Sequence, residues 1–209
     1  MNLPQNEHFI DFLRNLFDTN KEFAQSHGES FFAEFSNQQN PKLTLVTCCD
    51  SRVQIESFDK TPQNEVFAVR NIGNQIINSE GCVDFGVEIL KTPFLLILGH
   101  SNCGAINAVI EQQQGLPRSI QKELMMLKFS SMGSEAVIEN VNNQVKYAMQ
   151  KYQNQIASQT LTVVGGIYDF KNDYGFGYGK IILINVNDVT DSNILKNSYS
   201  DLVSNLILR

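Results

Sequence analysis

Cys48-Cys49-Asp50-Ser51-Arg52 and Gly99-His100-Ser101-Asn102-Cys103-Gly104 hold the residue types most able to do chemistry in this chain. Each piece follows an apolar run and precedes a polar or helical stretch. Together they offer two soft thiolates, one imidazole and one carboxylate. That donor set suits a borderline-soft divalent ion, with zinc the first candidate. Three strong ligands with a replaceable fourth make a catalytic type of site, whereas a closed structural site uses four ligands that never leave. The His-x-x-Cys spacing brings His100 and Cys103 to one side of a turn entering a helix, because residues three apart are neighbours there. Gly104 is expected to let the helix start pack closely, and the positive potential of that start favours thiolates. A lone His-x-x-Cys is mostly incidental, and Asp, Ser and Arg gather in loops for ordinary reasons. It is the joint occurrence of the two pieces that points to a metal.

The elements that must position these residues follow from periodicity. Short apolar and β-branched runs at residues 43–47, 65–70, 94–98, 161–167 and 180–185 predict five strands. The third and fifth are continuous rather than alternating, as suits strands covered on both faces. Helical patterns at 82–90, 105–113 and 139–152 separate most of them, and another covers 192–208. Strand-helix alternation predicts an α/β fold with a central, mostly parallel five-stranded sheet flanked by helices. In such a sheet ligands gather beyond the carboxyl ends of the strands, near the switch point. The first strand ends at Cys48, and His100 and Cys103 follow the third. A turn at 172–179 joins the fourth and fifth strands and is too long for a two-residue hairpin.

Residues 8–35 carry Phe9, Ile10, Phe12, Leu13, Leu16, Phe17 and Phe23 at helical spacing, a broad apolar face that needs a cover. Ser36-Asn37-Gln38-Gln39-Asn40-Pro41 reads as a linker. The expected division is therefore a helical arm, 1–36, and a zinc-binding α/β catalytic domain, 37–209. An apolar fraction of 42% supports a core, and a net charge of -6 with no basic stripe speaks against nucleic acid. No apolar run reaches membrane-spanning length and no secretory signal is visible, so a cytoplasmic protein is expected. Of the four cysteines, Cys49 is expected to pack, because neighbours on extended backbone point to opposite faces and cannot both reach one ion. Cys82 reads as a small buried thiol. His8 and His27 read as solvated arm residues.

Cys48-x-Asp50-Ser51-Arg52 followed by His100-x-x-Cys103-Gly104 resembles the zinc motif of the β-class carbonic anhydrases. Asn40-Pro41, Phe67-Ala68-Val69-Arg70-Asn71-Ile72-Gly73-Asn74, Asp84-Phe85-Gly86-Val87-Glu88-Ile89-Leu90 and Val164-Gly165-Gly166-Ile167-Tyr168-Asp169 are similar to that family as well, so the likeness runs from Leu16 to Val189. The resemblance implies one Zn²⁺ per chain on Cys48, His100 and Cys103, with Asp50 as the fourth ligand in one state, and no organic cofactor. It implies Asp50 and Arg52 as the catalytic pair, and reversible hydration of CO₂ to bicarbonate and a proton by attack of zinc-bound hydroxide. In one state Arg52 pairs bidentately with Asp50 and leaves a place for water; in the other Asp50 turns onto the metal. Arg70 matches the arginine of a bicarbonate pocket found in some members, while Leu45 stands where that pocket has a tryptophan. Tyr168, Asp169 or buffer would carry the proton away.

The resemblance also implies that the arm packs on a partner subunit, in a homodimer or homotetramer. Two alternatives keep the fold and the zinc: hydrolysis of CS₂ or COS, and a catalytically silent zinc assembly protein. Thiol redox chemistry at Cys48-Cys49 is disfavoured, because adjacent cysteines form a strained pair and no Cys-x-x-Cys is present.

Overall fold

Leu43–Cys48 (β1), Val66–Asn71 (β2), Phe94–His100 (β3), Thr162–Asp169 (β4) and Lys180–Val186 (β5) are the strands of the computed structural model, which describes residues 6–203 and 206–208. Each coincides with an apolar run of the sequence to within a residue or two. They form one five-stranded sheet in the order β2-β1-β3-β4-β5. The pairs β1/β2, β1/β3 and β3/β4 are parallel, and β4/β5 is antiparallel. The mostly parallel α/β sheet expected from the sequence is thus the observed one. From β1 the chain steps to β2 on one side, then crosses to β3 on the other. The carboxyl ends of β1 and β3 therefore flank a switch point.

The register sets what meets there. Cys48 lies beside Asn71, Thr47 beside Leu98, and His100 beside Tyr168. Gly133–Lys151 (α5) packs on β3 and β4. Its stripe of Ala136, Val137, Asn140, Val141, Gln144, Val145 and Ala148 is buried, the spacing of a helix with one face on a core. Gly99 permits this approach, since a Cβ there would lie 2.7 Å from Val141 Cγ2. The helix begins six residues before the expected 139, because its first turn is polar and dilutes the periodicity. The shorter helices are Glu80–Asp84 (α2), Gly104–Ile110 (α3), Arg118–Leu124 (α4) and Gln153–Ala157 (α6). Neither α4 nor α6 has enough residues to show a period.

Three expectations are corrected by packing. The helix expected over 82–90 is α2 followed by a π-turn, Phe85–Ile89. Thr92 N–H donates to Gly86 O at 3.1 Å, and Thr92 Oγ1 lies 2.8 Å from Thr44 Oγ1. The sheet thereby draws this turn in. Cys82 on α2 is exposed, not buried; Tyr152 O–H, donating to Asp84 at 2.7 Å, docks α2 by another face. The last helix, Ser192–Val203 (α7), stops before 208. Residues 204 and 205 of that expected helix lie outside the described residues, and Ile207 bridges Leu183 instead. Leu183 N–H donates to Leu206 O at 2.8 Å, so the C-terminal residues satisfy the open edge of β5.

The chain divides into two compact units, Met1–Asn40 and Pro41–Arg209. The first contains Glu7–Ala33 (α1), capped by Asn6, whose Oδ1 accepts from Phe9 N–H at 2.8 Å. Gly28, at φ 71°, kinks it. His27 is not simply solvated: it sits between Phe23 and Phe31, with ring centroids at 4.1 and 4.4 Å. No residue of α1 is buried, and Ile10, Phe12, Leu16 and Phe17 are exposed. Among the described residues no helix is long and apolar enough to cross a membrane.

Gly99→Ala is expected to destabilise the fold by about 1–3 kcal/mol through overpacking against α5. A lowered urea midpoint at unchanged m-value would show it; an unchanged midpoint would mean α5 yields without strain.

Candidate metal centre

The strand ends deliver Cys48 from β1 and His100 from β3, and Cys103 caps α3. All three are buried, and their donor atoms lie within 4.8 Å of one another. Zinc bonds of about 2.0–2.3 Å in a tetrahedron place ligands about 3.3–3.8 Å apart, a spread that one ion can draw these atoms into. His100 Nδ1 is 3.0 Å from Ser101 O. A carbonyl only accepts, so Nδ1 carries the proton and Nε2 keeps its lone pair. Among the described residues that buried Nε2 has no hydrogen-bond partner, a loss of about 1–3 kcal/mol unless a cation takes it.

The sulfurs make the same case. Cys48 is drawn down from the ordinary thiol value to about 4, chiefly by the hydrogen bond from Cys103 and against burial. Cys103 is pushed far up by that hydrogen bond to Cys48 and by its own burial. Two buried sulfurs this close resist ionising together, a cost that a bound dication would offset. The residues present fit zinc.

Asp50 stands beside this triad, its Oδ2 4.0 Å from His100 Nε2. Arg52 holds it: Nε donates to Oδ1 at 2.9 Å, Nη2 to Oδ2 at 2.7 Å, and the backbone N–H to Oδ1 at 2.9 Å. These bonds hold the carboxyl well below the usual carboxylate range, against the opposing effect of burial. Arg52 Nη2 also donates to Asn102 O at 3.2 Å, so one guanidinium joins the Cys48 loop to the His100–Cys103 loop. Arg70 of β2 sits inside the first loop. Its Nη2 donates to Cys48 O, Asp50 O and Val53 O at 3.1, 2.9 and 2.6 Å, and its Nη1 to Gln54 Oε1 at 3.3 Å. The resemblance had offered Arg70 as a pocket arginine; here its donors go to the loop that carries the ligand.

Other expectations change at the site. Cys49 is exposed rather than packed, and its N–H donates to Asn71 O at 3.0 Å. Gly104 has open space where a Cβ would stand, so close packing does not require it. Asp169 is fully buried, and its carboxylate accepts from the N–H groups of Asp173 and Tyr174 at 3.0 Å each. It closes the loop between β4 and β5. Phe170 was missed by sequence reasoning. Its ring centroid is 4.5 Å from Arg52 Cζ and stacks on His100 at 5.8 Å. The available signal was an aromatic residue just past a predicted strand end, two positions after Tyr168.

Cys103→Ser is expected to reduce zinc from one per chain to a small fraction, since an alcohol is a poor zinc ligand. Metal analysis after dialysis checks this, and retention of one zinc would remove Cys103 from the ligand set.

The family model for carbonic anhydrase matches residues 43–175, which includes both loops. A carbonic anhydrase of Mycolicibacterium smegmatis is 34% identical over 86 residues, covering 41% of this chain and 42% of that protein. One from Candida albicans is 32% identical over 112 residues, covering 50% of this chain and 38% of the relative. The chain thus matches less than half the length of these relatives. Among solved structures, the β-carbonic anhydrase CafA of Aspergillus fumigatus superposes with a TM-score of 0.70 at 23% identity, over 93% of this chain and 98% of that one. A tetrameric β-carbonic anhydrase from Sordaria macrospora superposes with 0.66 at 23% identity, over 85% and 96%. With the family model covering most of the chain and the shared fold covering nearly all of it, this chain belongs to the β-class carbonic anhydrase family.

Proposed function

We propose that this protein is a zinc-dependent carbonic anhydrase that interconverts CO₂ and bicarbonate. The observation that carries the reading is the Arg52-held carboxylate of Asp50 beside the buried Cys48–His100–Cys103 triad. Zinc, when bound, would supply a Lewis acid that makes a water molecule nucleophilic near neutral pH. Cys48, His100 and Cys103 would hold it, with the two thiolates balancing its charge. The proton on His100 Nδ1, donated to Ser101 O, fixes the ring that presents Nε2.

Asp50 acts as an acceptor. Ionised and held on both oxygens by Arg52, it offers no proton and keeps one direction. A reacting water beside it must donate to the carboxylate, which aims the water's lone pair away from Asp50 and toward CO₂. The burial of the triad excludes bulk water from the ligands, and Arg70 keeps the backbone of the Cys48 loop in place. A catalytically silent zinc protein has no use for a carboxylate held in this way.

The protein is proposed to assemble as a homodimer or homotetramer, with α1 covered by a second copy. The exposed Ile10, Phe12, Leu16 and Phe17 support this, and the neighbour from Sordaria macrospora is a tetramer. A cytoplasmic location belongs to the same proposal and rests on thiols that must stay reduced to bind metal.

Stopped-flow CO₂ hydration on metal-quantified protein tests the function. The wild type is expected to turn over rapidly, and Asp50→Ala to keep its zinc while kcat falls by about 10²-fold or more. No turnover from protein holding one zinc per chain would overturn the reading. Replacing Phe12 and Phe17 together with Ser should lower the sedimentation coefficient; an unaltered profile would show that α1 does not build the assembly.

A further inference from the structure

Phe170 touches two functional groups at once. Its ring lies 4.5 Å from Arg52 Cζ, and its plane is 25° from that of His100 with centroids 5.8 Å apart. Tyr168 meets it at a steep angle, with centroids 6.0 Å apart. The backbone on either side is anchored to the residue next to His100. Ser101 N–H donates to Tyr168 O at 3.1 Å, and Lys171 N–H donates to Ser101 Oγ at 3.3 Å. Asp169, immediately before the ring, is fully buried and accepts from the N–H groups of Asp173 and Tyr174. The ring is therefore a fixed wall of the site.

A guanidinium over an aromatic face is attracted by the ring's quadrupole, and its planar shape lets the ring set its tilt as well as its position. Arg52 needs such a guide, because its side chain is 45% exposed while that of Asp50 is 16% exposed. A long, exposed side chain samples several rotamers unless its neighbours restrict it. Asp50, Asn102 O and Phe170 restrict it here from three directions. Asp50 Oδ2 is 4.0 Å from His100 Nε2, so a carboxylate released by Arg52 would stand within reach of an ion that His100 would hold.

We propose that Phe170 is a positioning residue: by stacking against Arg52 it keeps Asp50 paired with the guanidinium and off the ion. This rests on the zinc reading above. Without the aromatic face Arg52 loosens, and Asp50 spends part of its time as a fourth ligand in the place of the reacting water.

Cobalt(II) substituted for zinc provides a test, because its visible ligand-field bands respond to a change of fourth ligand. Phe170→Leu is expected to load one cobalt per chain, to show altered bands, and in the zinc form to lose kcat by about 10- to 100-fold with little change in KM. Phe170→Tyr, which keeps the π face, should restore both. In an Asp50→Ala background Phe170→Leu should cause no further spectral change. Wild-type bands and kcat in Phe170→Leu would overturn the proposal, as would a spectral change that persists without Asp50. Should Phe170→Leu lose cooperative thermal unfolding, Phe170→Met, which keeps the apolar bulk, is measured against the same outcomes. A wild type that takes up neither cobalt nor zinc would overturn the zinc reading itself, and the proposal with it.

Discussion

The parallel pairing of β1 with β3 is the constraint on which the site depends. Neighbouring strands lie about 4.8 Å apart, and the register Thr47 to Leu98 brings the end of β1 level with the end of β3. Cys48 and His100 are distant in sequence, and this pairing makes them neighbours. A slip of one residue would turn Cys48 to the opposite face of the sheet. The pairing is held by what the strands bury: Leu45, Val46, Leu95, Ile97 and Leu98 are all inaccessible to solvent. Each such side chain contributes about 1.5–3 kcal/mol relative to exposure. The apolar core thus fixes the geometry of a polar centre.

The centre gathers donors that suit a soft cation. The contact between the two buried sulfurs draws the Cys48 thiol down and pushes the Cys103 thiol up, and among the described residues the buried His100 Nε2 has no hydrogen-bond partner. A divalent cation with soft character resolves both conditions at once. Around the triad, two arginines hold the loops still. Arg52 grips Asp50 and reaches Asn102, Arg70 fills the Cys48 loop, and Phe170 backs Arg52. Three strands contribute to this outer layer: Arg70 is on β2, Asp50 and Arg52 follow β1, and Phe170 follows β4. The layer therefore forms only when the sheet has assembled.

The five strands were legible because each is a short, apolar, β-branched run that the chain does not need to share with another period. Helical boundaries were less legible where packing decided them. The polar first turn of α5 hid Ala136 and Val137, which only contact with the sheet reveals as core. The π-turn at Phe85–Ile89 exists because Gly86 is drawn against the sheet, and no periodicity encodes that pull. The C-terminal residues looked helical by pattern, yet the open edge of β5 took Leu206 and Ile207 as partners. Cys82 and Cys49 were expected to pack and are exposed. The composition of a cysteine does not say which side of its element faces the core.

By itself the sequence determined which candidate donors are present, the order in which the strands appear and the family. Residue types and local spacing are properties of the chain, and they carry over whatever the packing does. Tertiary structure alone decided which groups meet. It placed the donors of Arg70 on loop carbonyls, made Asp169 a loop clamp, and set Phe170 against Arg52 and His100. The reason is that these are contacts between elements far apart in sequence, fixed by strand register and by the burial of side chains from both partners. A local pattern has no access to either.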